Sequence, residues 1–272
     1  MPTATFVLST GRCGTQWLAA KLAEVYGDLL AVEHEPLHGG YQPRRMLGLK
    51  TPLALDPEGS NAIQDHLARV EGLLEAKSYV ECGHPCWSTL PYLLERFAGR
   101  IRVVHLSRHP IPTALSWLTH SAYEPPFLPH LQEKVLLSPH DDGVMFPEYR
   151  EPWATMSPFE KCLYYWAEVN AFGLDLEHRA GAPWLRLSFE ELFTPAGIGR
   201  VLDFLSLPAR PSMLDARLDV VDQHRFKVAS NFPDLAVLAH HPRFVEVATS
   251  LGYSVSWENI DQLKDRYTLP GH

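Results

Sequence analysis

The chain has 272 residues, 46% of them hydrophobic, enough for one large α/β domain or two small ones with a full core. Its 24 basic and 32 acidic residues leave a formal net charge of −8, which counts against a generic nucleic-acid binder. An anionic ligand stays compatible with that charge, because a few local Arg residues and helix N-termini suffice to hold one.

The chain opens on a strand-like run, Thr5 to Leu8, with no basic, apolar or cleavage segment ahead of it, so no secretory signal is expected. Ser9 to Thr15 is a Gly-containing turn, and Trp17, Leu18, Ala20, Leu22 and Val25 then carry helical spacing. Leu29 to Val32 is a second strand candidate, followed by His34-Glu35-Pro36. Residues 61–76 read as a helix with Ile63, Leu67, Val70 and Leu74 on one face. Tyr79 to Cys82 and Ile101 to Leu106 are further strands, the latter leading through Ser107-Arg108-His109-Pro110 into a helix that passes Ser116 and Trp117. Residues 121–158 are rich in Pro, His and aromatics with poor periodicity, and are expected to be an insertion or lid. Helix resumes from Phe159 through Phe172, Trp184 to Phe189 is a late strand, and Val201 to Leu205 belongs to another helix. This alternation predicts an α/β fold: three layers, α/β/α, with a central parallel sheet, in a single domain over 1–272. No run approaches the length of a bilayer span. Four cysteines, Cys13, Cys82, Cys86 and Cys162, are too few for a disulfide scaffold and read as reduced thiols of a cytoplasmic protein.

The first chemical feature is the turn Gly11-Arg12-Cys13-Gly14-Thr15-Gln16-Trp17 between strand and helix. Two glycines let the backbone curl so that its amides point inward, the helix adds its positive end, and Arg12 adds a permanent charge with a planar donor fork. No Lys follows Gly14, so this is not a Walker A loop. Nor is it a tyrosine-phosphatase loop, since Ala19 stands six residues after Cys13 where an Arg is required. The second feature is Arg108 at a strand end, with Ser116 eight residues later on the next helix. Ligands of open parallel sheets lie at strand C-termini, so a cation and a hydroxyl there suit a second phosphate of the same nucleotide.

Together these stretches resemble the sulfotransferases that use 3′-phosphoadenosine-5′-phosphosulfate (PAPS), whose fold is P-loop NTPase-like. The turn is similar to that family's 5′-phosphosulfate loop, and Arg108-His109-Pro110 with Ser116 is similar to its 3′-phosphate motif. Leu185-Arg186-Leu187-Ser188-Phe189-Glu190-Glu191-Leu192, the stretch Val201 to Pro208, and Leu251-Gly252-Tyr253 resemble later family segments, in the same order. Departures are Gly11 for the usual Pro, Arg12 for the Lys of cytosolic members, and His109 for Asn or Asp. A clean C-terminal donor-contact motif is missing, and His224-Arg225-Phe226-Lys227 is the nearest substitute.

The resemblance implies a transfer of the sulfuryl group from PAPS to an acceptor hydroxyl, releasing the bisphosphate PAP, with no metal. Gly11, Arg12, Cys13, Gly14, Thr15, Gln16, Trp17, Arg108, Ser116, Arg225 and Lys227 would bind the donor, with Arg12 also stabilising the leaving group. Val32-Glu33-His34-Glu35-Pro36-Leu37-His38 looks like the base-bearing stretch of heparan-type members, which makes Glu35 the first choice of general base. His34, Glu81 and His84 are its competitors. Lys50, in Lys50-Thr51-Pro52, and His84 are candidate substrate contacts. A Glu base leans toward a carbohydrate-like or other aliphatic hydroxyl, and the aromatic segment 121–158 toward a lipid or aromatic acceptor. A nucleotide kinase or hydrolase with a degenerate loop, and a non-catalytic nucleotide-binding module, are the alternative functions. Cys82-Gly83-His84-Pro85-Cys86 offers three ligands in five residues with no second half, so no metal site is expected. Tyr164, Tyr165 and Trp166 read as core and not as a nucleic-acid stacking platform.

Overall fold

The computed structural model describes residues 1–49, 57–214, 228, 232–254 and 264. Five strands, β1 (Ala4–Leu8), β2 (Leu30–His34), β3 (Ser78–Cys82), β4 (Ile101–Ser107) and β5 (Trp184–Ser188), form one parallel sheet in the order β2-β3-β1-β4-β5. All of β1 and nearly all of β4 are buried, while β2 and β5 at the edges are half-buried. That is why the central strands read as continuous apolar runs in the sequence. The helices are α1 (Thr15–Tyr26), α2 (Pro43–Gly48), α3 (Pro57–Leu73), α4 (Leu90–Arg96), α5 (Pro110–Leu118), α6 (Pro158–Ala180), α7 (Phe189–Leu192), α8 (Pro195–Leu205), α9 (Pro211–Leu214) and α10 (Pro242–Ser250).

The described residues form two compact units, one within Met1–Ser107 and Phe172–Leu218, the other within Arg108–Ala171 and Asp219–His272. In the first, the side-chain alternation of the strands splits the core into two layers. Val7, Val80, Val104 and Leu187 meet Leu18 and Leu22 of α1 and Val201, Leu202 and Leu205 of α8. On the opposite face Phe6 lies 6.1 Å from Tyr79 and 5.9 Å from Phe97, ring centre to ring centre. Gly173 of α6 sits against Leu8 and His105. The expected α/β class with a central parallel sheet is therefore present.

Several boundaries differ from the sequence reading: β2 runs Leu30–His34 and not Leu29–Val32, so His34 ends the strand. Phe189 belongs to α7 and not to the strand before it. Ser188 Oγ accepts from Glu191 N at 3.1 Å and Glu191 Oε2 from Ser188 N at 2.8 Å, a reciprocal cap that ends β5 and starts the helix. The helix expected over 61–76 begins earlier, at Pro57, and ends at Leu73.

In the second unit, every residue of α5 is buried. Among the described residues, 119–157 contain only short 3-10 turns at Pro147–Arg150 and Pro152–Ala154 and a lone bridge between Ala122 and Lys134. Side chains satisfy this irregular backbone in place of a ladder. Tyr123 Oη donates to Leu137 O at 2.6 Å and accepts from Leu137 N at 2.9 Å. The Glu168 carboxylate accepts from Met145 N and Phe146 N at 2.9 and 2.7 Å. Tyr164, Tyr165 and Trp166 are buried, as expected of core residues. No described helix is long and apolar enough to cross a membrane.

Candidate active site at the strand ends

The connection leaving β1 leads to β2 at one edge of the sheet, and the connection leaving β4 leads to β5 at the other. The winding sense reverses between β1 and β4, and open parallel sheets take their ligands at the C-terminal ends of such a pair. The Ser9–Gly14 turn follows β1, and Arg108 is the residue after the last of β4.

The turn is held in an unusual backbone shape. Gly11, Arg12 and Gly14 have φ of 71°, 60° and 86°. For Arg12 this left-handed geometry costs roughly 1 kcal/mol. At Gly14 it is the backbone angle that demands glycine, since a Cβ would meet Leu192, Phe193 and Phe189 at ordinary contact distances of 3.4–3.5 Å. Ser9 Oγ accepts from Gly11 N at 3.0 Å, and Cys13 Sγ donates to Gly11 O at 3.1 Å, with Thr10 Oγ1 3.3 Å from that sulfur. Cys13 is thus a buried brace of the turn. Gly14 caps α1 without a side chain and the first turn of α1 has no acidic residue, so its amide dipoles are not neutralised locally. Arg12 and Trp17 are half-buried and Gln16 is exposed. The Trp17 ring meets Phe193 edge-on at 4.7 Å.

From the turn a polar line crosses to the neighbouring strand ends. Thr15 Oγ1 lies 3.5 Å from His34 Nε2, His34 Nε2 lies 3.8 Å from Glu35 Oε1, and Glu35 Oε1 lies 2.8 Å from His84 Nδ1. Adjacent strands bring them together: β2 and β3 run parallel with His34 opposite Cys82, so Glu35 and His84 leave the sheet side by side. Glu35 has φ 47°, fixed by its amide donating to Cys82 O at 3.1 Å. A Cβ on Gly83 would fall 2.5 Å from Glu35 Cγ, so only glycine admits this approach. Burial alone would raise the Glu35 carboxyl, but the His84 hydrogen bond and the His84 and His34 charges outweigh it and hold Glu35 at about 2. Burial pushes His34 below the ordinary histidine value, against the opposing pull of Glu35.

Glu81 occupies a different environment. It is 1% exposed, with Oε1 accepting from Tyr41 Oη at 2.6 Å and Oε2 2.9 Å from both His66 Nε2 and Tyr79 Oη. Tyr79 Oη is also 2.8 Å from Glu33 Oε2, and Arg69 Nη2 reaches Glu33 Oε2 at 2.5 Å and His66 Nδ1 at 3.0 Å. Since Arg69 only donates, His66 Nδ1 accepts and its Nε2–H donates to Glu81. Glu81 is committed to this network and holds, through Tyr41, the loop that follows Glu35. None of Tyr41, His66, Tyr79, Arg69 and Glu33 was a candidate site residue in the sequence reading. The alternation Tyr79-Val80-Glu81 put Tyr79 and Glu81 on one face, but nothing local announced residues 41 and 66 as partners.

In the second unit, Arg108 is half-buried and its carbonyl accepts from Trp166 Nε1 at 2.9 Å. Ser116 lies on α5, 5% exposed. His109 caps α5, with Nδ1 accepting from Ile111 N at 3.2 Å. Cys82 and Cys86 are fully buried, and burial raises both thiols. Lys50, Arg225 and Lys227 lie outside the described residues.

No protein-family model matches the chain, and no curated protein matches it. Among solved structures it is similar to a sulfotransferase domain from the curacin biosynthetic pathway, with 18% identity over 94% of this chain and 99% of that one and a TM-score of 0.48. It is also similar to a sulfotransferase from Alicyclobacillus acidocaldarius, at 14% identity, 93% and 97% coverage and a TM-score of 0.49. Mouse sulfotransferase SULT7A1 complexed with PAP is similar at 13% identity, 98% and 89% coverage and a TM-score of 0.47.

Proposed function

We propose that this protein is a sulfotransferase that moves the sulfuryl group of PAPS to the hydroxyl of a small-molecule, lipid or carbohydrate acceptor. The observation that carries the reading is the polar line from the strained turn after β1 to a carboxylate–imidazole pair, Thr15 to His34 to Glu35 to His84. Strained backbone at Arg12 and Glu35, both at strand ends, supports it, because such strain persists where a site requires it.

In this proposal Arg12 and the amides of Cys13, Gly14, Thr15 and Gln16 hold the 5′-phosphosulfate and stabilise charge growing on the departing phosphate oxygen, while Gly11, whose N–H donates to Ser9 Oγ, shapes the turn around it. Trp17 packs beside the nucleoside. Arg108 and Ser116 take the 3′-phosphate, with Arg225 and Lys227 as a further donor contact and Lys50 near the transferred group. A carboxylate held at about 2 is a weak base at neutral pH. The acceptor proton therefore passes to the Glu35–His84 pair as a unit, with His84 taking it and Glu35 orienting and stabilising the imidazolium. As the proton leaves, the acceptor oxygen bonds to sulfur, the bridging S–O bond breaks, and PAP departs. The chain's residues supply positioning and electrostatics.

An acceptor screen with isotopically labelled PAPS, read by mass spectrometry for an added sulfate, tests the reading. Sulfated product with the wild type and its loss in Arg12→Ala is the expected result. Failure to bind PAP without Mg²⁺, together with Mg²⁺-dependent turnover of a nucleoside triphosphate, would overturn it.

A further inference from the structure

His109 stands where the resemblance leads one to expect Asn or Asp, and the structure shows what the longer side chain adds. Nδ1 accepts from Ile111 N at 3.2 Å, the capping bond that a shorter Asn or Asp would make. Nε2, the proton-bearing nitrogen once Nδ1 accepts, lies 2.8 Å from Ser254 O. One ring thus ties the start of α5 to the segment after α10.

The surroundings clamp the peptide on either side of it. Tyr253 packs edge-on to His109 at 5.5 Å and lies 6.5 Å from Trp166, whose Nε1 donates to Arg108 O at 2.9 Å. The Arg108–His109 peptide is therefore held from the carbonyl side by Trp166 and from the next side chain by Ile111 and Ser254. His109 is 6% exposed, and burial, reinforced by the Arg108 charge and opposed by the Ser254 bond, keeps it neutral with a pKa of about 4. The neutral ring is the form that accepts at Nδ1 and donates at Nε2 together.

We infer that His109 is a positioning residue for Arg108: its Nε2–H bond to the Ser254 carbonyl locks the 251–254 segment against the start of α5 and sets the direction in which the Arg108 guanidinium is presented to a 3′-phosphate. This deepens the donor reading above and rests on it. The two ring nitrogens have separable duties. Asn at 109 reproduces the cap but is too short to reach Ser254, whereas Gln reaches about as far as Nε2 and gives up the cap.

The test compares affinities for PAP and for adenosine 5′-monophosphate in wild type, His109→Asn and His109→Gln, by calorimetric titration on the full chain. The wild type should prefer PAP, His109→Asn should lose most of that preference, roughly tenfold, by weakening PAP binding alone, and His109→Gln should keep it. If only one variant folds, its ratio decides. Equal weakening of both ligands, or an unchanged ratio in His109→Asn beside a selective wild type, overturns the inference and leaves the donor reading standing. A wild type that does not prefer PAP overturns both.

Discussion

Glu35 Oε1 and His84 Nδ1 meet at 2.8 Å, each just beyond the end of one of two adjacent parallel strands. Neither residue is positioned by its own neighbours in sequence. The pairing of β2 with β3 does it, and Gly83 allows the close approach. If the pair acts as one base, Glu35→Gln and His84→Asn should each lower turnover on the order of 10²–10⁴-fold. The double variant should be little worse than the poorer single one, because groups that act as a unit are not additive. Steady-state kinetics on all four proteins measures this, and fully additive losses would break the pair apart.

Gly83→Ala tests the approach itself. Its Cβ would sit 2.5 Å from Glu35 Cγ, with Glu35 N and Cα at 3.2 and 3.3 Å, so backbone as well as side chain must yield. Overpacking of this kind costs about 1–3 kcal/mol. Turnover should fall with it. Gly39→Ala is the control, because a Cβ there meets nothing within 4 Å. Urea denaturation and rate measurements on both variants are the readouts.

Tyr41→Phe removes one donor from Glu81 and leaves Oε1 buried without it. Losing a hydrogen bond to a buried charged group costs roughly 1.5–3 kcal/mol. The expected result is a lower denaturation midpoint with unchanged m-value, and a smaller loss of rate than Glu35→Gln, since Tyr41 acts on the loop and not on the acceptor.

Arg12→Lys should be a poor replacement for arginine. Lys keeps the charge and bears the same backbone strain at φ 60°, but loses the planar donor fork. We expect turnover to fall on the order of 10-fold or more for Arg12→Lys and 10³-fold for Arg12→Ala, measured at saturating donor.

The pH dependence of stability should carry the mark of His109. Its folded pKa of about 4 lies below the ordinary value of 6.5, so between those pH values the unfolded chain binds the extra proton. Stability from this group is therefore complete above 6.5 and lost as pH falls toward 4, on the order of 3 kcal/mol in all. Glu35 acts lower: with a folded value of about 2 against 4.5, its contribution is present above 4.5 and lost as pH falls toward 2. Urea melts at a series of pH values should show both windows, and His109→Asn should flatten only the first.

The strands, the main helices and the turn after β1 were readable in the residues themselves, because each rests on local rules. Short apolar runs, helical spacing and glycine at positive φ operate over a few neighbours. Boundaries slipped where a side chain intervened, as when the Ser188–Glu191 cap turned Phe189 from strand into helix. Candidate residues were legible as a set: Arg12, His34, Glu35, Glu81, His84, Arg108 and Ser116 all stand at or near strand ends or on the helix that follows.

What distinguished their environments was tertiary. Glu35 and Glu81 are both carboxylates beside a β2 or β3 terminus; the family resemblance ranked Glu35 first as a base, but nothing in the residues themselves separated their surroundings. The fold separates those surroundings by bringing Tyr41, His66 and Tyr79 onto Glu81 and His84 onto Glu35. The same holds for His109, whose partner at residue 254 lies far along the chain. Backbone preference is decided by adjacent residues, whereas burial and hydrogen-bond partners depend on which distant segments pack together, and only the folded chain brings those into reach.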